Sequence, residues 1–239
     1  MPELSQDYLA FLKVELPKLK TKRLPFWRKS RKTKHDTLRY VVNKYSFSQA
    51  GLCAEFGVFK GVTIRMMANK LPSQKFYGFD SFTGFPDDGR TDWQHDFSLQ
   101  GKLPDVPKNV TLIQGYFEDT LEAFVAEHKD ECFALMHIDC DIYSSTKTIF
   151  NICKPMIKPG CIIVFDELLH YSGFENHEML AFYEFLSETG LNFEWLSIRN
   201  KVLDIEEYLT STWSQKLVGS PMKVWREMGY EQEVAIRII

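Results

Sequence analysis

The sequence predicts an α/β fold in which a doubly wound, mainly parallel sheet is covered by helices on both faces. Short apolar runs recur between Gly51 and Asp166 and alternate with amphipathic segments, which is the order of a strand–helix–strand fold. Most of these runs are apolar at successive positions, as expected of parallel strands that are buried on both faces.

The individual elements follow from apolar runs and their breakers. The predicted strands are Gly51–Phe56, Lys75–Asp80, Val110–Gly115, Phe133–Asp139, Cys161–Asp166, Phe193–Ile198 and Val234–Ile239. Helical spacing predicts helices between them, at Thr63–Lys70, Asp119–His128 and Ser145–Met156. The segment His35–Phe47 has apolar residues on one helical side, and Arg199–Glu233 is expected to be partly helical.

Composition limits the class of protein. The 239 residues are 44% hydrophobic and carry a net charge of −3, which suits a globular domain without a general attraction to nucleic acid or anionic membranes. No apolar run reaches the ~18–20 residues that cross a bilayer, and the N-terminus lacks the pattern of a secretory signal. The five cysteines show no CxxC pair, so reduced, packed thiols in a cytoplasmic protein are expected.

The N-terminal part is predicted to be a separate extension. We expect residues 1–47 to form a helical and basic extension and residues 48–239 to form the main domain. Leu16–Lys34 holds nine Lys or Arg and no acid. A solvated basic arm is the simplest interpretation, and contact with a nucleic acid, an anionic lipid or an acidic subunit are the alternatives.

Acidic residues end most of the predicted strands. Ligands of such a sheet bind outside the carboxyl ends of its strands. After the first strand, Gly57 and Gly61 allow close backbone approach, and Asp80 suits hydrogen bonds to ribose hydroxyls. The turn reads E-x-G-x-x-x-G and lacks the third glycine of the dinucleotide fingerprint. S-adenosylmethionine is therefore favoured over a dinucleotide.

Five motifs in one order resemble a known family. They are EFGVFKG, FDSFTGFP, GYFEDTL, HIDCDIYSST and KPGCIIVFDE. Together they resemble the macrocin O-methyltransferase family over about Ala54 to Glu167. The members are class I S-adenosylmethionine-dependent enzymes with a Rossmann-like fold and a bound magnesium ion, and they methylate sugar hydroxyls of macrolide antibiotics.

The resemblance implies roles for individual residues. The cofactor-binding residues would be Glu55, Gly57, Gly61 and Thr63 at the methionine end, Asp80 and Ser81 at the ribose, and Gly115, Tyr116, Phe117 and Glu118 around the adenine. The ligands of Mg²⁺ or another divalent cation would be Asp139, Asp166 and Glu167. The family usually has two adjacent aspartates at the last position, so Glu167 departs from its pattern by one methylene.

The implied chemistry is methyl transfer to a hydroxyl. Three converging carboxylates repel one another unless a cation lies between them, and a bound metal lowers the pKa of an acceptor hydroxyl. Asp139 and His170 are the candidate proton acceptors, with His177 as an alternative, whereas His137 is expected to be a core histidine. Residues 82–109, including Trp93 and Phe97, are expected to form a lid.

The expected partner is a small hydroxylated acceptor, such as a sugar or a glycosylated natural product, with no nucleic acid and no membrane. Self-association into a homo-oligomer is left open. The alternatives are a methyltransferase for nucleic acid or protein, encouraged by the basic arm, a non-catalytic S-adenosylmethionine-binding protein, and a dinucleotide oxidoreductase.

Overall fold

The computed structural model describes residues 4–22, 24, 35–47, 51–86, 97–171, 173–198 and 232–239. Its seven strands are β1 Gly51–Phe56, β2 Phe76–Asp80, β3 Val110–Gln114, β4 Cys132–Ile138, β5 Ile162–Phe165, β6 Phe193–Ile198 and β7 Val234–Ile238. They form one sheet in the order β3-β2-β1-β4-β5-β7-β6. The first five strands pair in parallel, and β7 runs antiparallel to both β5 and β6. The predicted doubly wound, mainly parallel sheet is confirmed.

Helices cover both faces of this sheet. They are α1 Gln6–Glu15, α2 Asp36–Lys44, α3 Val62–Lys70, α4 Phe117–Glu127, α5 Tyr143–Cys153 and α6 Glu178–Thr189. Helices α3, α4 and α5 match the three predicted ones to within a few residues at each end. Helix α6 was not predicted, although its buried residues give it a firm place in the core. They are Glu178, Met179, Ala181, Phe182, Phe185 and Leu186.

Two apolar clusters hold these layers together. The larger one joins α1, α4, α5 and α6 to one face of the sheet, and the smaller one joins α2 and α3 to the other. In the larger cluster the rings of Phe56 and Phe79 stack at 5.1 Å between neighbouring strands, and those of Phe150 and Phe185 stack at 4.6 Å between α5 and α6. Apolar burial on both faces explains why the central strands lack polar alternation.

The described part of the N-terminal extension packs into the larger cluster. Tyr8, Leu12 and Leu19 are buried there, and the Tyr8 hydroxyl donates to the Glu175 carbonyl at 2.9 Å. A 3-10 helix, Leu16–Lys22, continues from α1 toward β6. The remainder of the basic segment lies outside the described residues, apart from Leu24. So do Trp93 of the expected lid and most of Arg199–Glu233.

The cysteines of the chain are mostly buried. Four of the five cysteines are buried and all five are free thiols. Burial raises the pKa of Cys53 and of Cys153 to about 12, so these thiols stay protonated. Among the described helices, none combines the length and the apolar character that a membrane span requires.

Candidate active site

A cavity of about 340 Å³ opens at the carboxyl ends of the central strands. This volume falls in the range of small-molecule sites. The sequence-predicted site residues that line it are Gly57, Thr63, Asp80, Ser81, Gly115, Tyr116, Phe117, Glu118 and Asp139. Further lining residues that the sequence did not single out as site residues include His35, Phe59, Lys60, Phe85, Cys140, Asp141 and Ser145. Strand order therefore brings most of the predicted cofactor residues to one edge.

The glycine turn after β1 forms one wall of the cavity. Gly57 has φ +93, and a Cβ built on it would lie 1.8 Å from the carbonyl oxygen of Asp139. Only glycine lets the turn pass this close to the end of β4. The turn closes where the Gly61 amide donates to the Val58 carbonyl at 2.8 Å, and α3 begins at the next residue. Gly61 itself is not among the lining residues.

Asp80 fixes the glycine turn to the end of β2. Its Oδ2 accepts from the amides of Val58 at 2.8 Å and Phe59 at 2.7 Å, and its Oδ1 accepts from the Phe82 amide at 2.6 Å. Each carboxylate oxygen has a further lone pair. Asp80 thus holds the turn in place and still offers acceptor capacity toward the cavity.

Three phenylalanines cover the outer side of the cavity. The ring of Phe97 lies 5.3 Å from that of Phe59 and 5.5 Å from that of Phe85, edge to face in both cases. The hydroxyl of Ser81 donates to the Gly84 carbonyl at 2.7 Å, which tightens the turn that carries Phe85. This aromatic cover gives the cavity an apolar surface suited to stacking against a flat base.

The turn after β3 brings a helix N-terminus to the cavity. Tyr116 is the N-cap of α4, and Phe117 and Glu118 occupy its first turn. Gly115 precedes them with φ +145. First-turn amides point toward the cavity end of the helix, where hydrogen-bond acceptors are favoured.

Glu55 is not among the residues that line the cavity. It sits inside β1, fully buried, in register with His137 on β4. Its Oε1 is 2.8 Å from Nδ1 of His137. Burial lowers the pKa of His137, but the hydrogen bond to Glu55 and the charges of Glu55, Asp166 and Glu233 outweigh it, so the pKa is raised. His137 is a core histidine, as expected, but one with a charged partner.

Asp166 is paired with a residue from the other end of the chain. Its Oδ1 is 3.0 Å from Nδ1 of His35, and both side chains are 8% exposed. His35 has φ +63 and precedes α2. Glu233 lies beside them because β7 is antiparallel to β5, which puts the start of β7 next to the end of β5.

Glu233 anchors the start of α2. Its carboxylate accepts from the amide of Thr37 at 2.6 Å and from that of Leu38 at 3.1 Å. Burial, and next the charge of Asp166, raise the pKa of Glu233 to about 8, while His137 and the two amides act in the opposite direction. The free amides at the start of a helix stabilise a carboxylate that lies against them.

These contacts give a ligand group that differs from the predicted metal set. The ligand-type atoms of His35, His137, Asp166 and Glu233 all lie within 4.8 Å of one another. Asp139 and Glu167 are not in this group, although their carboxylates are the ligand type that Mg²⁺ prefers. Among the described residues, the Asp166 carboxylate pairs with His35 just before α2, and the three-carboxylate metal set stays a prediction.

The two candidate proton acceptors are placed differently. Asp139 follows β4 directly, lines the cavity, and its amide donates to the Phe56 carbonyl at 2.9 Å. His170 is 1% exposed with φ +67 and is not among the described residues that line the cavity. His177 begins α6, where its ring packs 5.8 Å from that of Tyr171. The geometry therefore brings Asp139, and neither histidine, to the cavity wall.

Comparison with known proteins relates the chain to methyltransferases. Residues 54–168 match the family profile described as a methyltransferase domain. The crystal structure of CalS11, a calicheamicin methyltransferase, is 22% identical over 82% of this chain and 91% of that chain, with a TM-score of 0.51. The O-methyltransferase NovP is 20% identical over 67% of this chain and 71% of that chain, with a TM-score of 0.48. No curated protein matches. The fold is that of class I methyltransferases.

Proposed function

We propose that this protein is an S-adenosylmethionine-dependent O-methyltransferase that acts on a hydroxyl of a small molecule, such as a sugar or a glycosylated natural product. One observation carries the proposal: the glycine turn, Asp80 and the start of α4 line a single cavity, and Asp139 lines it too. The match of residues 54–168 to a methyltransferase domain supports it.

The cavity offers a place for each part of the cofactor. Asp80 would hold the ribose hydroxyls, because its oxygens keep lone pairs beyond the backbone bonds. The phenylalanine cover and the start of α4, with Tyr116 and Phe117, would hold the adenine. The glycine turn and Thr63 would hold the methionine end; all of these residues line the cavity.

Methyl transfer then takes place beside Asp139. The acceptor oxygen attacks the methyl carbon, the carbon–sulfur bond breaks, and its electron pair returns to sulfur as the neutral thioether. The hydroxyl proton passes to the Asp139 carboxylate. Positioning supplies much of the rate because the two reactants are held in line.

Metal dependence is the finer part of the proposal and rests on the family resemblance. Asp139, Asp166 and Glu167 follow the neighbouring strands β4 and β5, and the Asp166 amide donates to the Ile138 carbonyl at 2.9 Å. A magnesium ion held there would lower the pKa of the acceptor hydroxyl. In the described geometry Asp166 faces His35, so this three-carboxylate set stays a prediction.

The decisive experiment is calorimetry with S-adenosylhomocysteine, followed by transfer of labelled methyl to a panel of nucleotide sugars and catechols. We expect the wild type to bind S-adenosylhomocysteine and to transfer the methyl group. EDTA should abolish the transfer and change the affinity for S-adenosylhomocysteine by only a few fold. Asp139→Asn should lose transfer but keep binding. No binding of S-adenosylhomocysteine would refute the proposal, and transfer that survives exhaustive chelation would remove its metal-dependent part.

A further inference from the structure

We propose that His35, His137, Asp166 and Glu233 form a binding site for a divalent transition metal, for which zinc is the best-suited ion. This site is distinct from the three-carboxylate set that the family resemblance implies, and it shares only Asp166 with that set. It draws its ligands from both ends of the chain and from two central strands.

The distances suit a single ion. The four ligand-type atoms lie within 4.8 Å of one another, and Nδ1 of His35 is 3.0 Å from Oδ1 of Asp166. Ligand atoms on a tetrahedral zinc with bonds of about 2.0–2.1 Å are roughly 3.4 Å apart. Small side-chain adjustments therefore separate the described arrangement from a coordinated one.

His137 has the orientation of a metal ligand. Its Nδ1 is paired with the Glu55 carboxylate at 2.8 Å, and its Nε2 is buried with no hydrogen-bond partner among the described residues. Zinc-binding histidines almost always donate their second ring N–H to a carboxylate or carbonyl, which fixes the tautomer and raises ligand basicity. The Glu55–His137 pair reproduces this arrangement, and coordination would satisfy Nε2.

The negative charge of the buried carboxylates also favours a bound cation. Glu55, Asp166 and Glu233 place three carboxylates around two imidazoles, and all three are buried. Buried carboxylates repel one another unless protons or a metal compensate. A divalent ion bound among them would offset this repulsion.

The donor types select the metal, and the surroundings provide access to it. Mg²⁺ takes oxygen ligands, whereas mixed imidazole and carboxylate sets suit zinc and its neighbours. His35 lines the cofactor cavity, so an ion can enter from that side. Once bound, the ion would tie α2 to β4, β5 and the start of β7, and it would fix the cavity wall at His35.

The test uses the full chain after dialysis against a chelator. One equivalent of Zn²⁺ is added, the protein is passed through gel filtration, and retained zinc is measured by mass spectrometry. Co²⁺ in parallel gives a visible absorption band that reports tetrahedral coordination. We expect about one zinc per chain and a melting temperature raised by roughly 5–10 °C at saturating zinc.

Variants separate this site from other metal binding. His35→Asn suits the positive φ of that position, since Asn tolerates the left-handed region, and it should lower zinc affinity at least about tenfold. His137→Gln should do the same. His128→Gln is the matched control, because His128 also pairs with a carboxylate, Glu131 at 2.6 Å, outside the ligand group.

Asp139→Asn distinguishes the two metal hypotheses. It should retain zinc, because Asp139 belongs only to the carboxylate set implied for methyl transfer. A wild-type chain that retains no zinc, or equal retention by wild type, His35→Asn and His137→Gln, would overturn the proposal. Either result would leave the proposed methyl transfer intact, since that is tested by S-adenosylhomocysteine binding and turnover.

Discussion

Gly57 is the position where the cofactor turn depends most directly on the absence of a side chain. A Cβ at Gly57 would lie 1.8 Å from the Asp139 carbonyl oxygen. Real Cβ contacts essentially never fall below 3.0 Å, so Gly57→Ala forces the turn and the end of β4 apart by about 1.2 Å. Both segments line the cavity, and the shift should therefore affect stability and cofactor binding together.

Gly160 provides a matched control for the backbone part of this effect. It has φ +101, close to the φ +93 of Gly57, but a Cβ there meets nothing within 4 Å. Gly160→Ala should cost only the positive-φ strain, about 1–2 kcal/mol. Gly57→Ala adds an overpacking cost of about 1–3 kcal/mol, which gives a total of roughly 2–5 kcal/mol.

Urea unfolding followed by circular dichroism measures both losses, and calorimetry with S-adenosylhomocysteine measures binding. We expect Gly57→Ala to lower affinity by at least about tenfold, equivalent to ~1.4 kcal/mol, and Gly160→Ala to leave it unchanged. Equal destabilisation by the two variants would show that the Asp139 carbonyl does not lie against the turn. Unchanged affinity in a folded Gly57→Ala protein would remove the turn from the cofactor site.

Two further predictions concern side chains. Asp80→Ala should reduce the affinity for S-adenosylhomocysteine by about two to four orders of magnitude, because two charge-assisted hydrogen bonds of ~1.5–3 kcal/mol each are lost. Calorimetry measures this affinity. Asp130→Ala, on the surface, is the control and should bind normally. Iodoacetamide at pH 8 should leave Cys53 and Cys153 unmodified in the native protein, since burial raises the pKa of each thiol to about 12. Peptide mass spectrometry measures the alkylation of each cysteine. If Cys53 or Cys153 reacts as fast as the half-buried Cys132, the described core is contradicted.

Local sequence pattern predicted most of the sheet because each central strand is apolar on both faces. β1 and β6 have the predicted limits, and each of the other strands differs by one residue at one or both ends. Helix α6 is not predicted because Leu180 and Tyr183 lie outside its buried side, so its apolar residues spread over more than one face and blur the helical period. The residues that follow the strands also predicted much of the cavity wall, since parallel strands end at one edge.

Pairing between distant side chains was beyond the local pattern. The family resemblance implies a cofactor role for Glu55, whereas its position inside β1 pairs it with His137, 82 residues away in sequence. Asp166 meets His35 across 131 residues. The register of β1 against β4 gives the first contact, and the antiparallel course of β7 brings Glu233 to the second.

The burial of α1 has a practical consequence for making shorter versions of the protein. Tyr8 and Leu12 are in contact with the core that α5 and α6 share, and the rings of Tyr8 and Tyr183 lie 4.8 Å apart. A fragment that starts at His35 would keep every cavity-lining residue yet expose the apolar side of α6 to water, and such a surface promotes aggregation. Ser5 caps α1 through the Tyr8 amide. Soluble fragments should therefore begin before Ser5.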